Sequence, residues 1–166
     1  QLHIGVMPES SRLARTLLTR GTLAGQAVDQ MVLADQIAPP ADLLADARVS
    51  ARVGQLLDQC TALADEAFDG VFHLASAVSG ECEADFDLGM RSNLDSTRAL
   101  LEALRARQQR HGAVTRLVFS SSVAVFGPDA SVPMPPVVAD DTLPAPQTSY
   151  GMQKLVCEHL LADYTR

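Results

Sequence analysis

The most informative stretch of the chain reads Arg116-Leu117-Val118-Phe119-Ser120-Ser121-Ser122. It is a short apolar run that ends in three serines, and continuous apolar runs of this kind are typical of strands buried in a parallel sheet. Ligands of open α/β sheets bind at the carboxyl ends of such strands. The stretch therefore predicts a buried parallel strand at 116–120 that places hydroxyl groups where a ligand would bind.

Strands and helices alternate along the rest of the chain. Apolar runs predict four further strands, at 2–6, 28–34, 49–53 and 70–75. Helical spacing of apolar residues predicts helices at 11–20 and 85–109, and two further helices are expected at 56–67 and 149–166. Such alternation implies parallel strands joined by right-handed crossovers. The expected fold class is therefore α/β, with a Rossmann-like doubly wound parallel sheet.

Composition places the chain among ordinary globular proteins. Of its 166 residues 47% are hydrophobic and 20% are charged, and the formal net charge of −7 argues against a nucleic-acid surface. No apolar run approaches the roughly 20 residues of a membrane span, and no basic start leads into a signal-type segment. A cytoplasmic protein without nucleic-acid or membrane partners is expected.

The three cysteines carry no metal or disulfide pattern. Cys60, Cys82 and Cys157 are widely spaced, with no Cys-x-x-Cys pair and no histidine at ligand spacing. We expect buried, inert thiols and no metal site.

A tyrosine and a lysine stand four residues apart in Tyr150-Gly151-Met152-Gln153-Lys154. Residues at this spacing lie on one face of a helix, where the lysine cation would favour the phenolate form of the tyrosine. A tyrosine so placed can act as a general base. A chance pair on a helix surface is the alternative interpretation.

Three features together resemble the extended short-chain dehydrogenase/reductases, in their branch of NAD-dependent sugar epimerases and dehydratases. They are the serine run with its Tyr150/Lys154 pair, the sequence His73-Leu74-Ala75-Ser76 after one strand, and Asp35 after another. Three further stretches are most similar to the D-erythronate dehydrogenase group within that branch, at 78–81, 84–88 and 160–164. Family members are longer than this chain. The resemblance therefore implies that residues 1–166 form a partial NAD-binding domain that stops before the substrate domain.

The resemblance implies NAD as the cofactor. Asp35 supports this, because a carboxylate at that strand end accepts hydrogen bonds from the adenosine ribose and repels the 2′-phosphate of NADP. A solvated loop acid is the alternative interpretation. By resemblance, the residues that contact NAD are Gly5, Asp35, Leu74, Ala75, Ser76, Ser79, Asn93, Tyr150 and Lys154.

The turn after the first strand departs from the dinucleotide-binding fingerprint. It reads Gly5-Val6-Met7-Pro8-Glu9-Ser10-Ser11, with one glycine, a proline and a carboxylate where the phosphates would lie. Gln55 also stands where the family often has an acidic residue beside the adenine. These departures keep open a non-catalytic Rossmann module that binds a ligand or a partner protein.

The resemblance assigns catalysis to Ser122, Tyr150 and Lys154. Tyr150 removes a hydroxyl proton from a sugar or sugar acid, Lys154 lowers the pKa of the tyrosine, and Ser122 hydrogen-bonds the developing carbonyl oxygen. Ser79, Ser122 and Tyr150 are the expected substrate contacts. This predicts an NAD-dependent oxidoreductase acting on a CH–OH group. A sugar epimerase or dehydratase without net NADH formation is the alternative.

Two helices are candidates for a homodimer interface. Family members often pair the long helix at 85–109 with the helix that follows Tyr150. Leu155, Leu160 and Leu161 fit partial burial in such an interface, although the same leucines would equally pack a helix on its own sheet.

Overall fold

The computed structural model describes residues 2–5, 8–63 and 66–166, which fall into two compact units. The first, the sheet unit, comprises Gln1–Ala75 and Glu102–Ser120. The second, the helical unit, comprises Ser76–Leu101 and Ser121–Arg166. The strands of the sheet unit are β1 Leu2–Gly5, β2 Thr22–Leu23, β3 Gln26–Ala27, β4 Met31–Asp35, β5 Val49–Val53, β6 Gly70–His73 and β7 Arg116–Phe119.

Five strands of the sheet unit form one parallel sheet, in the order β5-β4-β1-β6-β7. The direction of strand succession reverses between β1 and β6. This is the order of a doubly wound Rossmann sheet up to its fifth strand, so the predicted fold class is confirmed. The strands β2 and β3 lie outside this sheet and form a small antiparallel pair.

The helices follow the predicted alternation. Their bounds are α1 Pro8–Arg20, α2 Ala41–Leu44, α3 Leu56–Leu63, α4 Ser79–Ala84, α5 Phe86–Gly89, α6 Ser96–His111 and α7 Ser149–Tyr164. A π-helix, Met90–Asp95, joins α5 to α6, and a 3-10 helix, Val123–Val125, follows the serine run. Gly112 ends α6 with a φ of +70°, and its N–H bonds the Gln108 carbonyl oxygen at 2.8 Å, as is common for a glycine directly after a helix. Among the described residues, no helix is long and apolar enough to cross a bilayer.

The strand β4 lies in the core of the sheet unit, as its apolar sequence predicts. Met31 and Leu33 of β4 are fully buried, and four successive residues of this strand are buried, as expected for a strand covered on both faces. The strand begins three residues later than predicted. Its residues pack with α1 and α2 in one apolar cluster of Leu2, Ala14, Leu17, Val28, Met31, Leu33 and Leu43.

The prediction that 116–120 is a buried strand was wrong in one respect. The strand β7 is parallel, but its exposure alternates along the strand, and Val118 is 50% exposed. The reason is position, because β7 is the outermost strand of the described sheet and pairs with β6 alone.

Candidate active site

Four of the predicted NAD contacts stand at the carboxyl ends of sheet strands. Gly5 ends β1, Asp35 ends β4, and Leu74 and Ala75 follow β6. Since β1 pairs with both β4 and β6, these three ends share one edge of the sheet unit, at the point where strand order reverses. Doubly wound sheets bind dinucleotides at this point.

Asp35 is a half-buried carboxylate at the carboxyl end of β4. Its Oδ1 accepts a hydrogen bond from the Ile37 N–H at 3.3 Å, which turns the chain directly after the strand. The carboxylate offers hydrogen-bond acceptors at the sheet edge where doubly wound folds bind dinucleotides, and its contact with the ribose stays a prediction. The predicted effect of the altered glycine turn on phosphate binding stays a prediction, because Val6 and Met7 lie outside the described residues. The predicted repulsion of phosphates by Glu9 stays a prediction.

Tyr150 and Lys154 lie in the first turns of α7, within the helical unit. The helix begins at a cap in which the Gly151 N–H donates to Thr148 Oγ1 at 3.0 Å. Lys154 Nζ lies 5.7 Å from the centroid of the Tyr150 ring, so the two side chains share one face of α7, as their spacing predicts. Lys154 is only 2% exposed, and burial lowers its pKa.

Ser122 lies beside the start of α7. Its Oγ accepts a hydrogen bond from the Ala124 N–H at 3.2 Å, which caps the 3-10 helix. A Cβ atom on Gly151 would lie 2.1 Å from the Ala124 carbonyl oxygen, so the backbones of α7 and the 3-10 helix are in direct contact. Ser121 also hydrogen-bonds Glu158 of α7. The segment Ser121–Ala124 therefore packs against the helix that carries Tyr150 and Lys154.

Asn93 holds the turn that precedes α4. Its side chain is 2% exposed, its Oδ1 accepts from the Ala77 N–H at 2.8 Å, and its Nδ2 donates to the Ala77 carbonyl oxygen at 3.2 Å. Ala77 lies between Ser76 and Ser79, two of the predicted cofactor contacts. Ser79 is half-buried and begins α4. The amide of Asn93 thus acts as a clamp on the Ser76–Ser79 turn.

Asn93 lies within the π-helix Met90–Asp95, whose carbonyl groups are paired in an unusual way. Within it, the Ser96 N–H bonds the Arg91 carbonyl oxygen, five residues back instead of four. The hydroxyls of Ser96 and Thr97 then donate to the carbonyls of Ser92 and Asn93, the latter at 2.6 Å. Serine and threonine side chains at these positions satisfy carbonyls that the π-turn would otherwise leave poorly paired.

The three cysteines are buried, as predicted. Cys82 Sγ accepts from Asn93 Nδ2 at 3.3 Å, and the Cys157 thiol donates to the Asn93 carbonyl oxygen at 3.4 Å. Burial raises the pKa of both thiols, and it raises the pKa of Cys60 to about 11. Cys82 and Cys157 therefore pack beside Asn93 as neutral groups. In the described part of the chain, no three His, Cys, Asp or Glu side chains are grouped to hold a metal ion.

Sequence reasoning missed Gln153, a buried polar residue that joins Asn93 to α7. Gln153 Oε1 accepts from Asn93 Nδ2 at 2.8 Å, and Gln153 Nε2 donates to Ser149 Oγ at 3.0 Å. The sequence carries no local signal that marks this glutamine as buried.

Replacing Lys154 should change how stability depends on pH. Burial sets the folded-state pKa of Lys154 below its ordinary value of 10.5, so between these two values the unfolded chain binds more protons than the folded chain. The penalty for burying the ammonium is fully present below the folded pKa and is relieved as pH rises towards 10.5. We expect wild type to gain stability relative to Lys154→Met over that interval. Urea unfolding at neutral and alkaline pH measures the difference, and parallel pH profiles would contradict it.

The family comparison agrees with this geometry. The model of the NAD dependent epimerase/dehydratase family matches residues 12–166. The chain belongs to this family. The family predicted from the serine run and the Tyr150/Lys154 pair is therefore confirmed. The prediction that NAD is the cofactor is also confirmed, since the family is NAD-dependent.

The chain is similar to two curated dehydrogenases and to one solved epimerase structure. The chain is 50% identical to a D-erythronate dehydrogenase from Cupriavidus necator, over 93% of this chain and 47% of the relative. It is 38% identical to a D-erythronate dehydrogenase from Haemophilus influenzae, over 93% of this chain and 46% of the relative. A solved nucleoside-diphosphate-sugar epimerase from Agrobacterium tumefaciens superposes with a TM-score of 0.91 and 39% identity, over 99% of this chain and 48% of that one. The chain thus spans about half the length of the curated relatives it matches.

Proposed function

We propose that this chain is the NAD-binding part of an oxidoreductase that oxidises a CH–OH group of a sugar acid of the D-erythronate type. The observation that carries the proposal is the Tyr150/Lys154 pair, with a buried ammonium 5.7 Å from the tyrosine ring. The names of the two dehydrogenase relatives support the sugar-acid substrate. Residues 1–166 are proposed as one NAD-binding domain.

The proposed chemistry assigns one task to each side chain. Tyr150, as phenolate, takes the hydroxyl proton of the substrate, while a hydride leaves the same carbon and the alcohol becomes a carbonyl. Lys154 favours the phenolate through its charge. Ser122 donates a hydrogen bond to the developing carbonyl oxygen, and Ser79 adds a polar contact for the substrate. NAD, when bound, supplies the acceptor for the hydride.

Cofactor contacts are proposed on both units. On the sheet unit, Asp35 would accept hydrogen bonds from the adenosine ribose, with Gly5, Leu74 and Ala75 at the same edge. On the helical unit, the proposed contacts are Ser76, Ser79, Asn93, Tyr150 and Lys154.

We also propose a homodimer through α7, on which Leu155, Leu160 and Leu161 are half-buried.

Cofactor titration with an Asp35 variant tests the proposal. We expect saturable binding of NAD, weaker binding of NADP, and an affinity for NAD about tenfold lower in Asp35→Asn, because a hydrogen bond to a charged acceptor is lost. Asp29→Asn, at an exposed position just before β4, is the matched control and should bind like wild type. Calorimetry gives the dissociation constants. Absence of NAD binding at millimolar cofactor would overturn the proposal and favour the non-catalytic binding module.

A sugar epimerase is the second candidate, favoured by the 39% identity to the solved nucleoside-diphosphate-sugar epimerase. The two reactions share the tyrosine and the lysine but differ in redox balance. Steady formation of NADH from D-erythronate supports the dehydrogenase. Isomerisation of a sugar nucleotide without net NADH would support the epimerase instead.

A further inference from the structure

Gln153 is a polar residue in an almost fully buried position. It is 2% exposed and lies on α7 between Tyr150 and Lys154. A buried amide is costly unless its polar atoms are hydrogen-bonded. Both ends of this amide are satisfied, with Oε1 accepting from Asn93 Nδ2 at 2.8 Å and Nε2 donating to Ser149 Oγ at 3.0 Å.

The contact with Gln153 favours one orientation of the Asn93 amide, in addition to the two contacts with Ala77. In the observed orientation, Asn93 Oδ1 faces the Ala77 N–H and Nδ2 faces the Ala77 carbonyl oxygen. Reversing the amide would set two donors against each other at the Ala77 N–H and two acceptors against each other at Gln153 Oε1. An acceptor at Gln153 therefore favours the orientation that clamps the Ser76–Ser79 turn.

The fit around Gln153 is close. A Cβ atom on Gly89 would lie 2.6 Å from Gln153 Nε2 and 3.0 Å from Cys82 Sγ. The space for the glutamine thus depends on a glycine in α5. This contact is independent of the hydrogen bonds and restricts the same side chain.

We infer that Gln153 is a positioning residue, which orients the Asn93 amide and through it holds the Ser76–Ser79 turn. The importance of this turn for cofactor binding rests on the proposed function. The clamp itself does not, because it is built from contacts within the helical unit. Loss of Gln153 should release Ala77 first and weaken NAD binding as a consequence.

Amide hydrogen exchange of Ala77, measured by NMR in the full chain, tests the clamp without any cofactor. We expect exchange about tenfold faster in Gln153→Met, which keeps the side-chain length but removes both hydrogen bonds. The Ala145 amide, which bonds the Val125 carbonyl oxygen in the same unit, should exchange as in wild type. Gln109→Met, at an exposed position on α6, is the matched control.

A double-mutant cycle shows whether Gln153 acts through Asn93. In an Asn93→Ala background, Gln153→Met should add little further acceleration at Ala77. If Gln153→Met does not fold, Gly89→Ala displaces the same side chain by contact and should accelerate Ala77 exchange in the same direction. Unchanged exchange at Ala77, or equal acceleration of Ala77 and Ala145, would overturn the inference.

NAD titration of the same variants separates this inference from the proposed function. We expect Gln153→Met to weaken NAD binding about fivefold to tenfold, and to have little further effect in Asn93→Ala. If wild type does not bind NAD, the proposed function fails, while Ala77 exchange still decides the role of Gln153. Faster Ala77 exchange with unchanged NAD affinity would overturn the link from the clamp to the cofactor.

Discussion

Tyr150→Phe is expected to lower kcat/KM by about 10²- to 10⁴-fold, the usual contribution of a positioned acid or base. The substitution keeps the ring and removes the phenolic oxygen, which would accept the substrate proton in the proposed reaction. Because the ring stays beside Lys154, the fold should remain close to wild type. The loss should fall on kcat, since the interaction is made in the transition state. Steady-state rates of NADH formation with D-erythronate give the comparison.

The chain offers a matched control for this substitution. Its second tyrosine, Tyr164, lies near the end of the same helix and is half-buried. Tyr164→Phe makes the same chemical change away from Lys154 and should stay within about threefold of wild-type activity. If Tyr150→Phe and Tyr164→Phe have equal activity, Tyr150 is not the base. The same contrast applies to an epimerisation, because that reaction would use the same tyrosine.

Gly151→Ala is expected to destabilise the protein strongly, although alanine is normally more stable than glycine in the interior of a helix. The new Cβ atom would lie 2.1 Å from the carbonyl oxygen of Ala124 and 2.9 Å from its carbonyl carbon. These are backbone atoms, which cannot move aside by rotating a side chain. Overpacking of this kind costs about 3 kcal/mol, which corresponds to a fall in Tm of about 6–12 °C. Calorimetric unfolding measures this fall.

Gly80→Ala makes the same change where there is room. Gly80 lies in α4, and a Cβ atom there would meet nothing within 4 Å. Alanine should therefore leave the Tm unchanged or raise it slightly, because it gains about 0.5–1 kcal/mol over glycine in a helix. Equal Tm values for Gly151→Ala and Gly80→Ala would show that α7 and the 3-10 helix are not in contact. Residual activity of Gly151→Ala should also be low, since Tyr150 is the adjacent residue.

Features encoded over a few residues could be predicted from the sequence. The strand β4 was predicted because Met31–Ala34 is an uninterrupted apolar run, and α1 because Leu13, Leu17 and Leu18 recur at helical spacing. The shared face of Tyr150 and Lys154 follows from the helical period alone. The small β2–β3 pair was not predicted, because two-residue strands carry too little pattern to detect.

Features that join distant parts of the chain could not be predicted in this way. Gln153 and Asn93 are 60 residues apart, and their hydrogen bond depends on how α7 packs against the π-helix. No local pattern marks Gln153 as buried or Gly151 as a contact point. The exposure of Val118 likewise depends on which strands flank β7, and the run Leu117–Phe119 reads the same in a central strand and in an outer one.

The sequence by itself determined the α/β alternation, the family and the Tyr150/Lys154 pair, because periodicity and short spacings fix which side chains share a strand or helix face. Only the tertiary structure decided that Asn93 clamps Ala77, that Gln153 orients Asn93 and that Gly151 lies against Ala124. These contacts form between segments distant in sequence, and their geometry is set by the packing of whole helices and loops.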